Sequence, residues 1–402
     1  MERKNATEYA LSVLVAGFAS LALLAAGPKS AKAKPVPVRM PPMSQARADI
    51  RWVRPICVET NRYIGWPSVC RLKNGDVLAV FSGDRDDHVC PHGKIQMVRS
   101  HDDGETWSPP QTIADGPIDD RDVGIVQLPD GELFVFYFTS TAYRSLFKAH
   151  PEYKEFDDKL TPEARAKATG NFAVWSRDNG KTWSAPRKLD IKGQAPHGPT
   201  LLRDGSLLQL GRYWDQWRYT IVTAERSTDG GRTWELLCPA VPDSDGENGR
   251  PNVFHEPYAV QLADGTIVGQ LRREYGEPKN DSNYLRQTMS KDGGRTWSPM
   301  VKTPMHGLPP HLVALPDGKL VSVYGKRQEN PCAECAAISD DGGLTWDVKN
   351  EIVLSYSPDR RGPDMGYPAS CILANGDILT VYYQPCESGG KPCLMATRWH
   401  AK

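Results

Sequence analysis

One eight-residue pattern recurs five times in this 402-residue chain, at residues 100–107, 176–183, 227–234, 290–297 and 339–346. Each copy reads Ser-x-Asp-x-Gly-x-Thr-Trp, and five independent occurrences by chance are effectively excluded. Self-similarity at such spacing marks a repeat architecture. The pattern also has a mechanism. Asp and Gly make a tight turn in which the short carboxylate bonds nearby backbone amides, and Trp supplies a large apolar wedge.

A second repeat locates the inner part of each unit. It consists of an apolar strand, a turn ending in Gly, and another apolar strand. The turn glycines are Gly75, Gly131, Gly205, Gly265, Gly318 and Gly376. The first five units each lead into a Ser-to-Trp turn, and the sixth runs out at the chain end with none. Six hairpin-built units of four strands predict an all-β fold, a six-bladed β-propeller of antiparallel blades. The last unit holds only three strands, so the spare strand at residues 50–57 is expected to complete it and close the ring. The 35 glycines, 33 prolines and 11 tryptophans suit many short strands joined by turns.

Residues 50–402 therefore read as one propeller domain. Ahead of it, residues 34–49 form a Pro/Lys/Ala-rich linker. Residues 1–33 have a charged start, an apolar run and an Ala-Lys-Ala site, as a secretory signal peptide does. The expected location is secreted or periplasmic. Cleavage would leave no membrane span, whereas an uncleaved segment would act as a signal anchor. Tyr143 to Ala168 is the longest excursion, with helix-forming residues, and is positioned to cover a ligand-binding face.

Basic and acidic residues balance at 49 each, which gives no reason to expect a nucleic-acid partner. Nine cysteines in an exported chain suggest disulfides with at least one thiol left over. Cys386 and Cys393 flank an expected hairpin and could bridge across it, and Cys332 and Cys335 form a second candidate pair. His88, Cys90 and His92 alternate as metal ligands sometimes do, but a plain loop explains them. No metal or cofactor is expected, and the oligomeric state is not legible.

Alignment on the turn glycines brings together the equivalent positions of the six units. Nine positions before the glycine stand Trp66, Asp122, Pro196, Glu256, Pro309 and Tyr367. Seven to ten positions after it stand Arg85, Arg272, Arg273 and Arg327, with Arg273 expected to point away from Arg272. His197, His255 and His311 crowd the same strand starts.

The five turns are Asp-boxes, and the chain resembles the sialidase (neuraminidase) superfamily over most of residues 50–402. The segment His-Glu-Pro-Tyr-Ala-Val-Gln-Leu-Ala-Asp-Gly-Thr-Ile-Val-Gly-Gln-Leu-Arg ending at Arg272 looks like the family segment carrying a Glu and a carboxylate-binding Arg. Gly-Tyr-Pro-Ala-Ser-Cys-Ile-Leu-Ala-Asn-Gly ending at Gly376 looks like the nucleophile segment. The resemblance implies an exo-acting glycoside hydrolase on glycans with a terminal acidic sugar. Tyr367 is then the nucleophile, Glu256 its activator, and Asp86 or Asp87 the acid/base. Arg85, Arg272 and Arg327 are the carboxylate-binding candidates, with Trp66, Asp122, His197 and His311 lining the substrate site. A neutral Tyr avoids the repulsion a carboxylate nucleophile would meet beside a carboxylate-bearing centre, and sialidases depart from the two-carboxylate scheme.

The chain departs from the family at one important place. The Arg-Ile-Pro motif of the first inner strand is replaced by Ile64-Gly-Trp-Pro67, so Gly65 stands where a carboxylate-binding Arg belongs. Arg62 lies three residues upstream, out of register. The loop from Asp84 to His92 also departs in spacing. Two other functions are compatible with the same residues: a polysaccharide lyase on uronic-acid polymers, and a non-catalytic glycan-binding propeller.

Overall fold

Each of the six units folds into its own twisted antiparallel sheet in the computed structural model. The structure describes residues 39–214, 220–243, 253–275, 283–359, 364–387 and 389–402. The expected leader at residues 1–33 lies outside them. No helix among the described residues is long and apolar enough to cross a membrane.

The innermost strands of blades 1 to 6 are Tyr63–Arg71, Asp119–Gln127, Thr200–Leu201, Val253–Gln261, Pro310–Ala314 and Gly366–Ile372. Blade 6 continues through Ile378–Pro385 and Pro392–Ala401, and the N-terminal strand Ala48–Cys57 pairs antiparallel with the latter. The spare strand thus completes the last blade, and a short strand, Ser44–Gln45, adds a fifth to that sheet. Closure by a strand from the other end of the chain ties the ring together and protects an edge. Between blades lie continuous apolar layers, such as Val77, Ala79 and Phe81 of blade 1 against Leu379 and Val381 of blade 6.

All five Asp-boxes fold alike, between the third and fourth strands of blades 1 to 5. In the third, Ser227 Oγ donates to Asp229 Oδ1 at 2.8 Å and accepts from the Gly231 amide at 2.9 Å. Asp229 also accepts from the Thr233 amide (2.9 Å) and hydroxyl (2.6 Å). Gly231 has φ +86°, which a side chain would strain, and an added Cβ would lie 2.3 Å from Phe134 of blade 2. Gly104, Gly180 and Gly294 press in the same way on Leu379, Leu78 and Leu208 of the preceding blade. Each box therefore fastens its blade to the one before it.

The excursion of blade 2 is helical, as expected: a 3₁₀ turn at Ala142–Leu146, then helices Pro151–Asp157 and Pro162–Ala168. It packs Tyr143, Tyr153 and Ala168 on Cys90 and Ile118, bracing the loop after Arg85. Cys386 and Cys393 are bridged across their hairpin. Cys332 and Cys335 are not bridged to each other: both are buried, and Cys332 Sγ donates to the carbonyls of Arg327 and Glu329. Cys335 lies in the strand Ala333–Ser339, and three residues of extended chain span about 10 Å, beyond disulfide reach. His88, Cys90 and His92 also separate, onto Asp364, an apolar cluster and Asp86 respectively.

Candidate active site at the channel mouth

Four of the six positions nine residues before the turn glycine share an unusual backbone. Trp66, Asp122, Glu256 and Tyr367 have φ of +52°, +51°, +55° and +52°. The pairing register slips at each of them, so each is the extra residue of a β-bulge. Left-handed conformations are uncommon for such residues and cost on the order of 1–3 kcal/mol, and they concentrate at functional sites. A bulge re-aims a side chain. The other two positions, Pro196 and Pro309, have φ locked negative by the ring and cannot form this kink.

The kinks gather a compact set of groups. The Tyr367 hydroxyl donates to Glu256 Oε1 in a very short hydrogen bond. Arg272 Nη1 meets both oxygens of Glu256, at 3.0 and 3.1 Å. Arg327 lies over the Tyr367 ring at 5.3 Å, and its Nε and Nη2 find no hydrogen-bond partner among the described residues. Burial raises the pKa of Glu256, but Arg272, His255 and the Tyr367 bond outweigh it and bring the group down to about 2. Burial and the charges of Glu256 and Asp122 push the Tyr367 phenol well above its ordinary value. The resting proton therefore sits on Tyr367, with an ionised acceptor touching it.

Asp122 is buried, and its Oδ1 makes no hydrogen bond among the described residues. Burial and neighbouring Glu256 raise it to about 7 against the pull of Arg121 and Arg212. His197 and His311 meet edge to face at 5.1 Å, and His311 stacks on Tyr258 at 4.2 Å. Burial lowers His197 to about 4 and His311 well below the ordinary value, so both rings are neutral. His255 is lowered to about 3 by burial and by Arg212 and Arg272.

Other candidates lie apart from this set. Arg85 is fully buried behind Trp66, with its guanidinium on Asp119 at 2.5 and 3.2 Å and stacked 4.7 Å from the indole. Asp86 is held by Arg62 Nη1 and His92 Nδ1, both at 2.5 Å. Asp87 is exposed, and its Oδ1 accepts from the His88 amide at 2.7 Å. Arg62 turns onto Asp84 and Asp86 instead of filling the place left by Gly65. That place is closed: a Cβ on Gly65 would lie 2.8 Å from the Tyr63 ring. Arg273, beside Arg272, is fully buried.

Sequence reasoning passed over three groups that border the site. Asp364 accepts from the Tyr63 hydroxyl (2.7 Å) and the Tyr383 hydroxyl (2.8 Å), and bonds His88 Nδ1 at 2.8 Å. Burial would raise Asp364, but His88, Arg327 and the Tyr63 bond hold it below the usual carboxylate range. Tyr63, Trp66, Tyr367 and Tyr383 form one buried aromatic cluster. Tyr383 lies seven positions after its turn glycine, as Arg272 does, so the same alignment marks it once the search includes uncharged polar residues. Glu334, fully buried near Arg327, is pushed up to about 8 by burial.

A family model described as a BNR repeat-like domain matches residues 77–380. A sialidase of Clostridium perfringens is 25% identical over 239 residues, covering 54% of this chain and 62% of its own length. A sialidase of Bacteroides fragilis is 23% identical over 363 residues, covering 79% of this chain and 59% of its own. The chain thus spans about three-fifths of the length of these curated relatives. Among solved structures, a Dyadobacter fermentans protein of unknown function superposes with a TM-score of 0.72 at 22% identity, over 88% of this chain and 99% of its own. That likeness bears on the fold alone.

Proposed function

The chain belongs to the BNR repeat-like domain family, and from that premise we propose that it is an exported, sialidase-type glycoside hydrolase that removes a terminal acidic sugar from glycans. The observation that carries the reading is the Tyr367–Glu256 hydrogen bond at the axis, flanked by Arg272 and Arg327. A tyrosine touching an ionised carboxylate is an activated-nucleophile arrangement.

Tyr367 Oη attacks the anomeric carbon while its proton passes to Glu256, and the bond to the leaving oxygen breaks. Arg327, with two free donors, takes the substrate carboxylate in a planar, charge-assisted contact that Lys would not reproduce. Arg272 gives the resting enzyme a switchable element. While it neutralises Glu256, that carboxylate is a weak base. Arg272 is shared when an anionic substrate arrives, and Glu256 becomes more basic as Tyr367 must lose its proton. Asp122, with a pKa of about 7, can donate a hydrogen bond to a sugar hydroxyl. The clamp then has two arginines, because Tyr63 fills the space at Gly65.

Sialosides, other acidic ketosides and uronic-acid polymers, offered to the purified protein, test this reading. Release of an acidic monosaccharide that Tyr367→Phe abolishes supports it. An unsaturated product absorbing in the ultraviolet marks elimination and removes the hydrolase assignment. Binding without turnover marks a lectin-like propeller.

A further inference from the structure

A tyrosine nucleophile leaves a second task open, protonation of the departing oxygen, and neither Asp86 nor Asp87 is placed for it. Asp86 is bound by two cationic or potentially cationic partners, Arg62 and His92, and its backbone carbonyl is capped by Lys391. Asp87 faces solvent and caps the following amide. Asp122 is electrostatically coupled to Glu256 and Tyr367, on the nucleophile's side. In a retaining glycosidase, acid and nucleophile flank the scissile bond.

The geometry points to His88 as the general acid/base of this site, oriented by Asp364. The assignment rests on the hydrolase reading above. His88 Nδ1 lies 2.8 Å from Asp364 Oδ2 and 3.0 Å from the Tyr63 hydroxyl. One ring nitrogen is therefore fixed, as in the carboxylate–imidazole pairs that hold a catalytic histidine in one orientation. The imidazole ring meets the Trp66 indole edge to face at 5.1 Å, and Trp66 meets Tyr367 at 6.3 Å. His88 and the nucleophile thus both pack against the same indole. The His88 side chain is 29% exposed, so its ring is accessible from solvent while the nucleophile beside it is buried. The loop is not free to wander: Cys90 is buried under the helical excursion, and His92 packs on Phe156 at 5.0 Å.

In the first step, the His88 Nε2 proton goes to the glycosidic oxygen as the carbon–oxygen bond breaks. The Tyr367 oxygen bonds to the anomeric carbon, and its proton goes to Glu256. In the second, neutral His88 takes a proton from water, and the water oxygen attacks the same carbon. The Tyr367 oxygen leaves and recovers its proton from Glu256, so every group returns to its starting state. Asp364 touches no reacting atom and is a positioning residue.

Leaving-group dependence tests the assignment. Wild type, His88→Ala, His88→Gln and Asp364→Asn are assayed on two glycosides of the released sugar, one linked to another sugar and one to an activated phenol. A phenolate leaves without a proton, a sugar alcohol does not. General acid catalysis is worth roughly 10²–10⁴-fold, so both His88 variants should lose about that factor on the sugar-linked substrate and roughly tenfold or less on the aryl one. Azide should accelerate their aryl turnover. Asp364→Asn should shift the ratio in the same direction, by less, and melting curves check that each variant is folded. An equal loss on both substrates, or none, overturns the His88 assignment and leaves the hydrolase reading standing. Absence of wild-type turnover on either substrate overturns both.

Discussion

The outer turns and the inner strand starts of this propeller are both sets of equivalent positions, and they have been put to opposite uses. At the rim, five Asp-boxes repeat one sequence and one hydrogen-bond pattern, from Ser100 with Asp102 to Ser339 with Asp341. Their polar groups are satisfied inside the turn, and they press on the neighbouring blade. At the axis, six equivalent positions carry Trp66, Asp122, Pro196, Glu256, Pro309 and Tyr367. Four of these are kinked into left-handed backbone, and donors and acceptors such as those of Arg327 and Asp122 lack a hydrogen-bond partner among the described residues. Repetition supplies the frame, and departure from repetition supplies the chemistry.

That contrast breaks most sharply at Tyr367. Tyr367→Phe should lose at least about 10³-fold in turnover, since it removes the covalent nucleophile, while melting as wild type does. Retained turnover would reduce the kinked axis to a structural detail. Arg327→Lys comes next: roughly 10- to 100-fold lower kcat/KM, because a point charge replaces a planar two-donor contact. Unchanged kinetics would remove Arg327 from the clamp.

A third prediction concerns stability and pH. Asp122 has a pKa of about 7 in the folded protein against an ordinary 3.8. Between those values the native state holds a proton that the unfolded chain has lost, so stability falls as pH rises through that window and levels off above about 7. Asp122→Asn should therefore melt above wild type at pH 8, by at most a few kcal/mol, with the advantage shrinking towards pH 4. A pH-independent difference would place Asp122 in an environment unlike the one described. The smallest effect belongs at the rim. Asp229→Ala leaves the Ser227 and Thr233 groups without their acceptor and should cost about 1–3 kcal/mol of stability, with turnover per folded molecule unchanged.

The same contrast explains what could be read from the sequence. The Asp-boxes and turn glycines are local signals, and counting them predicts six blades, the strand that closes the ring, and the positions of Tyr367, Glu256 and Arg272. Partner choice across the ring is not local. Arg85 falls in the same window of seven to ten residues after a turn glycine as Arg272, but a buried Asp119 from the next blade engages it. Asp364 gains its role from Tyr63, Tyr383 and His88, which come from three places in the chain. Gly65 marks a missing arginine in the sequence, and only packing reveals that Tyr63 occupies the space. The Cys332–Cys335 expectation failed because spacing alone ignored that Cys335 lies in an extended strand.

The most direct test of a tyrosine-nucleophile site at the axis is to trap it. A fluorinated acidic sugar that slows breakdown of the glycosyl-enzyme is incubated with the protein, and peptides are mapped by mass spectrometry. The account predicts one adduct, on the peptide containing Tyr367, and none on Tyr367→Phe. An adduct on another residue, or turnover of the natural linkage with no adduct, would contradict it.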